Sequence, residues 1–376
     1  MPRALRTPLC DLLNIETPIC GLTHSVAASA AISRCGGFGV YAATRDTPEE
    51  IGARGHELHR LAAGRTTGID ILLPKLDVEH SDRAAVEAAI PDGHRRFIDR
   101  LREKYGVPPA SRPGYRNRQV RSRDLWERQI EAVLGTDAEV FACGVGVSAD
   151  VVRRARARGK LTLALVGAPR HAAKAIDCGI DILVVQGHDG GGHTGTIGTM
   201  ALLPQVCAMA GRTPVLAAGG IATGSQMVAA LAMGAQGIWM GTVWLTTHEH
   251  ALPAPYVAQL IAAGSGDTVV TRASSGKPMR QIRTAWADEW NAPDAPEPLK
   301  MPYQDLLVGD IVQAAEENGI TPLMHQPAGQ SVAWCAQRTS VADIFARIEA
   351  EADAALRDLD RLRTRAASPE EPANAP

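Results

Sequence analysis

Short apolar runs recur along the chain, and stretches with apolar residues at helical spacing fill the gaps between them. Eight runs read as strands: residues 17–22, 37–42, 67–73, 139–144, 161–166, 181–186, 213–218 and 237–240. Helical periodicity falls at 27–34, 48–62, 149–158, 169–178, 202–210 and 224–233, and several of these stretches open on Ser, Thr, Asp or Pro, as helix starts demand. Strands separated by helices of this length pair in parallel through right-handed crossovers. Eight of them favour closure, so the pattern predicts an α/β fold, a (β/α)8 TIM barrel, over an open doubly wound sheet.

Two segments break the alternation. Residues 76–135, with a charged stretch at 92–100 and Pro108-Pro109, read as a helical insertion after the third strand, placed to cap the barrel mouth. Its arginines read first as a solvated face. Residues 271–366 carry a basic run, a Pro-rich connector and two helices, and read as a C-terminal helical extension packed on a barrel of residues 1–270. The tail 367–376, rich in Pro, Glu and Ala, reads as disordered.

Composition narrows the class. With 376 residues, 45% of them hydrophobic, and a formal net charge of -2, the chain can bury a full core and offers no basic surface to a nucleic acid. No apolar run approaches a membrane span, and the first residues lack the apolar segment of a signal peptide, so no membrane partner is expected. The seven cysteines are scattered without a Cys-x-x-Cys pair, which suggests neither a disulfide framework nor a zinc site. A reduced, cytoplasmic protein is the expectation.

The candidate chemistry sits where strands end. The sixth strand stops in Gln186-Gly187-His188-Asp189-Gly190-Gly191-Gly192-His193-Thr194-Gly195. Glycines there let backbone approach a flat ligand, and a histidine titrates near neutrality. The seventh ends in Ala218-Gly219-Gly220 and the eighth in Gly241-Thr242. In such barrels the loops after strands seven and eight, with a nearby helix N-terminus, bind phosphate through backbone N–H groups. The helix expected at 224–233 would aim its positive end there, and Thr242 would add a hydroxyl. Flavin mononucleotide (FMN) suits this arrangement, and a phosphosugar suits the phosphate loops alone. Against a cofactor-free lyase or isomerase stands the absence of a lysine or paired carboxylates at the strand ends. His188, Asp189 and His193, and the second cluster His248-Glu249-His250, lack a recognised metal-ligand pattern, so no metal is expected and the His248/His250 pair reads as surface.

These residues carry a resemblance. Gln-Gly-x-x-x-Gly-Gly-His-x-Gly at 186–195, Ala-Ala-Gly-Gly-Ile-Ala at 217–222 and Ala-Leu-Ala-Met-Gly-Ala-Gln-Gly-Ile-Trp-Met-Gly-Thr at 230–242 resemble the nitronate monooxygenase family, formerly called 2-nitropropane dioxygenases. The resemblance implies an FMN-dependent oxidoreductase with His193 as the catalytic residue. It implies that Gly21, Asp70, Gln186, Gly191, Gly192 and Gly195 line the flavin, and that Ala218, Gly219, Gly220, Gly241 and Thr242 hold its phosphate end. The substrate would be a small molecule, an alkyl nitronate oxidised with O2 or, in the reductase alternative, an acyl-CoA or enoyl thioester with NAD(P)H. Lys277, Arg280 and Arg283 are candidates to grip a CoA phosphate. The chain departs from the family's pattern in a shorter loop at 19–24 and in Asp70, where an asparagine is common.

Overall fold

The computed structural model describes residues 5–74 and 78–367. Its centre is a closed barrel of eight parallel strands. These are β1 (Ile19–Thr23), β2 (Phe38–Ala42), β3 (Thr67–Leu72), β4 (Val140–Gly144), β5 (Leu161–Val166), β6 (Ile182–Gln186), β8 (Val215–Ala218) and β9 (Gly237–Met240). All eight expected strands are present, with ends displaced by no more than two residues. A second, antiparallel sheet joins β7 (Gly192–His193), β10 (Thr268–Thr271) and β11 (Met279–Ile282).

Side chains alternate across each strand, and that alternation builds two cores. Cys20, Phe38, Val40, Val140, Ala142, Leu163, Ile182, Val184 and Leu216 fill the barrel. Ile19, Tyr41, Ile69, Phe141, Leu183, Val185, Ala217 and Ile238 face outward to the helices. Helix α1 (Pro8–Leu13) contributes Leu9, Cys10 and Leu13 to the interior cluster and plugs the N-terminal end. Only the C-terminal end is left open to a ligand.

The outer ring consists of α2 (Val26–Arg34), α3 (Pro48–Ala62), α6 (Arg123–Leu134), α7 (Ala149–Ala157), α8 (Pro169–Asp177), α9 (Thr199–Met209), α10 (Gly224–Ala232) and α14 (Val341–Ala367). Two boundaries differ from the sequence expectation. Helix α6 packs on α3 and β3, so the insertion after β3 ends before it and holds only α4 (Arg83–Ala88) and α5 (Asp92–Tyr105). Helix α14 packs between α10 and α2 and is the ring's eighth helix, not an extension. The segment between β9 and α14 is therefore a second insertion, with α11 (Ala254–Ala262), α12 (Ala285–Trp290) and α13 (Tyr303–Glu317). Phe97, Ile98 and Leu101 of the first insertion share one core with Trp286, Trp290, Val308, Ile311 and Val312 of the second. Both insertions leave from C-terminal strand ends, so this joint core stands on the side of the open mouth. The tail expected to be disordered lies, beyond Ala367, outside the described residues.

Candidate active site

Asp70 lies at the floor of the mouth. It pairs in register with Ala42 on one side and Ala142 on the other, and shares the inward face of β3 with Gly68. It is 3% exposed, its Oδ1 has no hydrogen-bond partner, and burial pushes its carboxyl up to about 7. A buried carboxyl without a donor is stable only when protonated or when a ligand supplies the partner.

At the ends of β8 and β9 the backbone offers donors. Gly219 (φ 98°) and Gly220 (φ 71°) sit in the left-handed region, and a Cβ on Gly219 would stand 2.7 Å from Thr199 Oγ1. Only glycine is tolerated there. Among the described residues the amides of Gly219, Gly220, Gly241 and Thr242 donate to no other group. Thr242 Oγ1 accepts from the amide of Gly329, which holds the 328–335 segment against this edge. Ala218 closes the barrel interior beneath them.

The start of the expected helix is partly engaged within the protein. The Gly224 amide at the start of α10 donates to Glu351 of α14 at 2.8 Å, and Thr223 Oγ1 caps the Gln226 amide. Two amides in the first turn of α10 are thus satisfied within the protein, whereas the Ser225 amide, like the strand-end amides, donates to no other group among the described residues.

The loop after β6 is pinned on every side. Gln186 Nε2 donates to the carbonyl of His193 at 2.9 Å. His188 Nδ1 meets the Gly195 carbonyl at 2.7 Å, and Asp189 Oδ2 accepts the Thr199 amide at 2.7 Å. His188 and Asp189 therefore shape the loop and start α9. Gly191 and Gly195 permit close backbone contact, since a Cβ would stand 2.6 Å from the Gly329 amide in one case and 2.4 Å from the Gly167 carbonyl in the other. Gly192 and His193 form β7, which pairs with Arg280 and Met279 of β11.

His193 is half-buried, and its Nδ1 lies 3.3 Å from the Pro278 carbonyl. That carbonyl accepts only from an N–H, so Nδ1 carries the proton and Nε2 keeps its lone pair. Burial, the main cause, pulls the imidazole down to about 4. Arg121 and Arg45 push in the same direction, against the Pro278 bond and Asp305. A ring that keeps accessible surface while surrounded by protein lines a concavity.

Other sequence-predicted residues lie elsewhere. Gly21 faces outward, where a Cβ would stand 2.3 Å from Trp244 Nε1, so this glycine serves packing rather than the mouth. Its position in the middle of β1, between Cys20 and Leu22 of the interior cluster, fixes that direction. Arg280 is 5% exposed and donates to the His188 carbonyl and Thr268, while Arg283 pairs with Asp288. Arg280 thus buttresses the β6 loop. His250 is buried, not on the surface, and neither ring nitrogen has a partner. Glu249 accepts the Val341 amide at the start of α14. No group of three or more His, Cys, Asp or Glu arranged to hold a metal occurs among the described residues.

Four charged residues at the mouth went unread in the sequence. Arg45 follows β2, Arg116 and Arg121 belong to the first insertion, and Asp305 opens α13. Asp305 pairs with Arg45 at 2.9 Å and Arg121 at 3.5 Å. The arginines are indistinguishable in sequence from the solvated ones around them. Asp305 likewise stands among polar residues of its helix, between Gln304 and Asp310, and carries no local signal.

All seven cysteines are free, and no helix among the described residues is long and apolar enough to cross a membrane. The sequence model of the nitronate monooxygenase family matches residues 6–351. A Mycobacterium tuberculosis protein named as a monooxygenase is 40% identical over 330 residues, 84% of this chain and 87% of that one. A second protein of that organism, named as a (3aS,4S,5R,7aS)-5-hydroxy-7a-methyl-1-oxo-octahydro-1H-indene-4-carboxyl-CoA dehydrogenase, is 30% identical over 286 residues, 74% of this chain and 67% of that one. The solved structure of a nitroalkane oxidase from Streptomyces ansochromogenes superposes with a TM-score of 0.79 at 27% identity, covering 93% of this chain and 99% of that one. The chain is an oxidoreductase and belongs to the nitronate monooxygenase family.

Proposed function

We propose that the protein is an FMN-dependent monooxygenase of alkyl nitronates with His193 as its base. The observation that carries this reading is the disposition of the mouth. Unengaged amides of Gly219, Gly220, Gly241 and Thr242 lie at one edge, an unpartnered Asp70 at the floor, and a neutral imidazole at the β6 edge. The residues fit the cofactor. Four amide donors suit a phosphate monoester. Asp70 and Gln186 offer polar atoms to a heterocycle on an otherwise apolar floor. The chemistry that FMN supplies when bound is acceptance of electrons from the substrate and their passage to O2.

The chain's own part is to bind, orient and move a proton. His193 Nε2, unprotonated at neutral pH, accepts the α-carbon proton of the neutral nitroalkane, which yields the nitronate; a preformed nitronate no longer carries that proton. The Pro278 carbonyl holds the ring in that tautomer, and the β7–β11 pairing fixes its backbone. An enoyl reductase needs this residue to arrive protonated, and burial with two nearby arginines opposes that.

A second reading, oxidation of an acyl-CoA, is supported by the relative named as a carboxyl-CoA dehydrogenase and uses the same neutral base. Against it stands the internal use of Arg280 and Arg283. The first test is the visible spectrum of the purified protein with and without added FMN. A flavin spectrum is expected, and a preparation that stays colourless contradicts the proposal.

A further inference from the structure

On the β2 and β3 side of the mouth, across the barrel from β6 and β8, three guanidiniums gather. The charges of Arg45, Arg121 and Asp305 act on His193, and those of Arg45 and Arg116 act on His24, which follows β1. Asp305 is 2% exposed and accepts Arg45 Nη2 at 2.9 Å. Arg121 Nε approaches Asp305 at 3.5 Å without hydrogen-bond geometry, and that Oδ2 is left without a hydrogen bond. The Arg116 guanidinium has no ion pair or hydrogen bond among the described residues, although its backbone carbonyl accepts from Arg45 Nη1 at 2.7 Å. Glu316 acts on Arg116 from a distance, is exposed, and accepts from Tyr256 instead. Burial first, and Arg45 second, lower the pKa of Arg116, and bring that of Arg121 down to about 10.

A guanidinium presents five N–H donors and does not shed its charge to escape burial. Two such groups whose guanidiniums donate to no acceptor, beside a third that shares one carboxylate, are costly without a counter-anion. Of the buried carboxylates only Asp305 pairs with this cluster, since Asp46 is engaged by Arg54 and Tyr41 and Asp70 pairs with none of the three arginines. Planar forks converging on one space are the arrangement that grips oxyanions. The cluster is also distinct from the strand-end amides of β8 and β9, which serve the opposite edge of the mouth.

We propose that Arg45, Arg116 and Arg121 form a binding site for a carboxylate or phosphate group carried by the substrate, at the end remote from the carbon that faces His193. The inference rests on the reading of the mouth as the substrate site. It makes the enzyme selective for substrates with an anionic tail, and it assigns the first insertion the task of choosing them.

The test uses the protein as purified, titrated calorimetrically with glutarate, propyl phosphate and the neutral glutaramide, in wild type and in Arg116→Gln. One or both anions are expected to bind and glutaramide is not, and the better anion identifies the tail as carboxylate or phosphate. R116Q is expected to weaken anion binding tenfold or more while leaving the melting temperature unchanged or raised, since it removes an unpaired, half-buried charge. Should R116Q not fold, Arg121→Gln serves in its place. Turnover of the nitronate of 4-nitrobutanoate is expected to exceed that of its methyl ester in kcat/KM, and R116Q to erase the difference. Equal binding of anions by wild type and variant, or equal kcat/KM for acid and ester, overturns the proposal. A colourless protein that binds glutarate through Arg116 upholds the anion site and overturns the flavin reading, so the two fail separately.

Discussion

The two edges of the barrel mouth are built by different means. The edge at β6, β8 and β9 is made of backbone: glycines bring amides and a histidine to strand ends, and each device sits within a few residues of the strand that positions it. The edge at β2 and β3 is made of long charged side chains. Arg45, Arg116, Arg121 and Asp305 come together over separations of up to 260 residues, through insertions that pack on each other. Backbone devices belong to the barrel and suit what the family shares, whereas side chains on insertions are free to differ with the substrate.

Substitutions test that contrast, and the largest expected effect is at His193. With a neutral nitroalkane as substrate, His193→Ala is expected to keep its flavin and lose about 10²- to 10⁴-fold in kcat, read in steady-state turnover beside the visible spectrum. Unchanged turnover removes His193 from the chemistry. Gly219→Ala comes next, because an alanine resists a φ of 98° and its Cβ meets Thr199. Equilibrium titration with FMN should show at least tenfold weaker binding, with about 1–3 kcal/mol lost from unfolding stability. Gly21→Ala is its counterpart away from the mouth. It should cost about 1–3 kcal/mol through crowding against Trp244 and leave FMN affinity within about twofold. A larger fall in affinity would return Gly21 to the site.

Asp70 gives a subtler signal. Burial raises its carboxyl from the ordinary carboxylate value of 3.8 to about 7 in the folded protein, so the native state holds a proton that the unfolded state releases between these values. Stability from this group therefore falls as pH rises from about 4 to 7, by up to about 4 kcal/mol, and the fall is complete above pH 7. Asp70→Asn is expected to remove this slope from denaturant unfolding curves collected across that pH range. Identical slopes in wild type and variant would mean that Asp70 is ionised and partnered in solution.

The same contrast explains what the sequence made legible. The eight strands were readable because each is a short apolar run bounded by turn residues, and the strand-end glycines marked the functional rim. Helix α6 was hidden because it follows a charged insertion without a break in composition. Helix α14 was hidden because nearly a hundred residues separate it from its strand, β9. Gly21 looked like its neighbours at the mouth, since a side chain's direction depends on strand register and shifts by one face per residue. The partner of the first amide of α10 was hidden for a related reason: Glu351 lies 127 residues away. The arginine cluster needed tertiary structure altogether, because pairing and burial, not residue type, separate Arg116 from the solvated arginines of the same insertion.

Anaerobic reduction of the purified protein, followed by its flavin absorbance, tests the central claim most directly. Nitroethane, ethyl nitronate, NADPH and an unsaturated acyl-CoA are each added alone to wild type and to His193→Ala. Bleaching of the wild type by both nitro compounds, with the nitroethane reaction slowed by orders of magnitude in the variant and the ethyl nitronate reaction retained, is the predicted result. Bleaching by NADPH alone, or by nitroethane at the same rate in both proteins, would contradict the account.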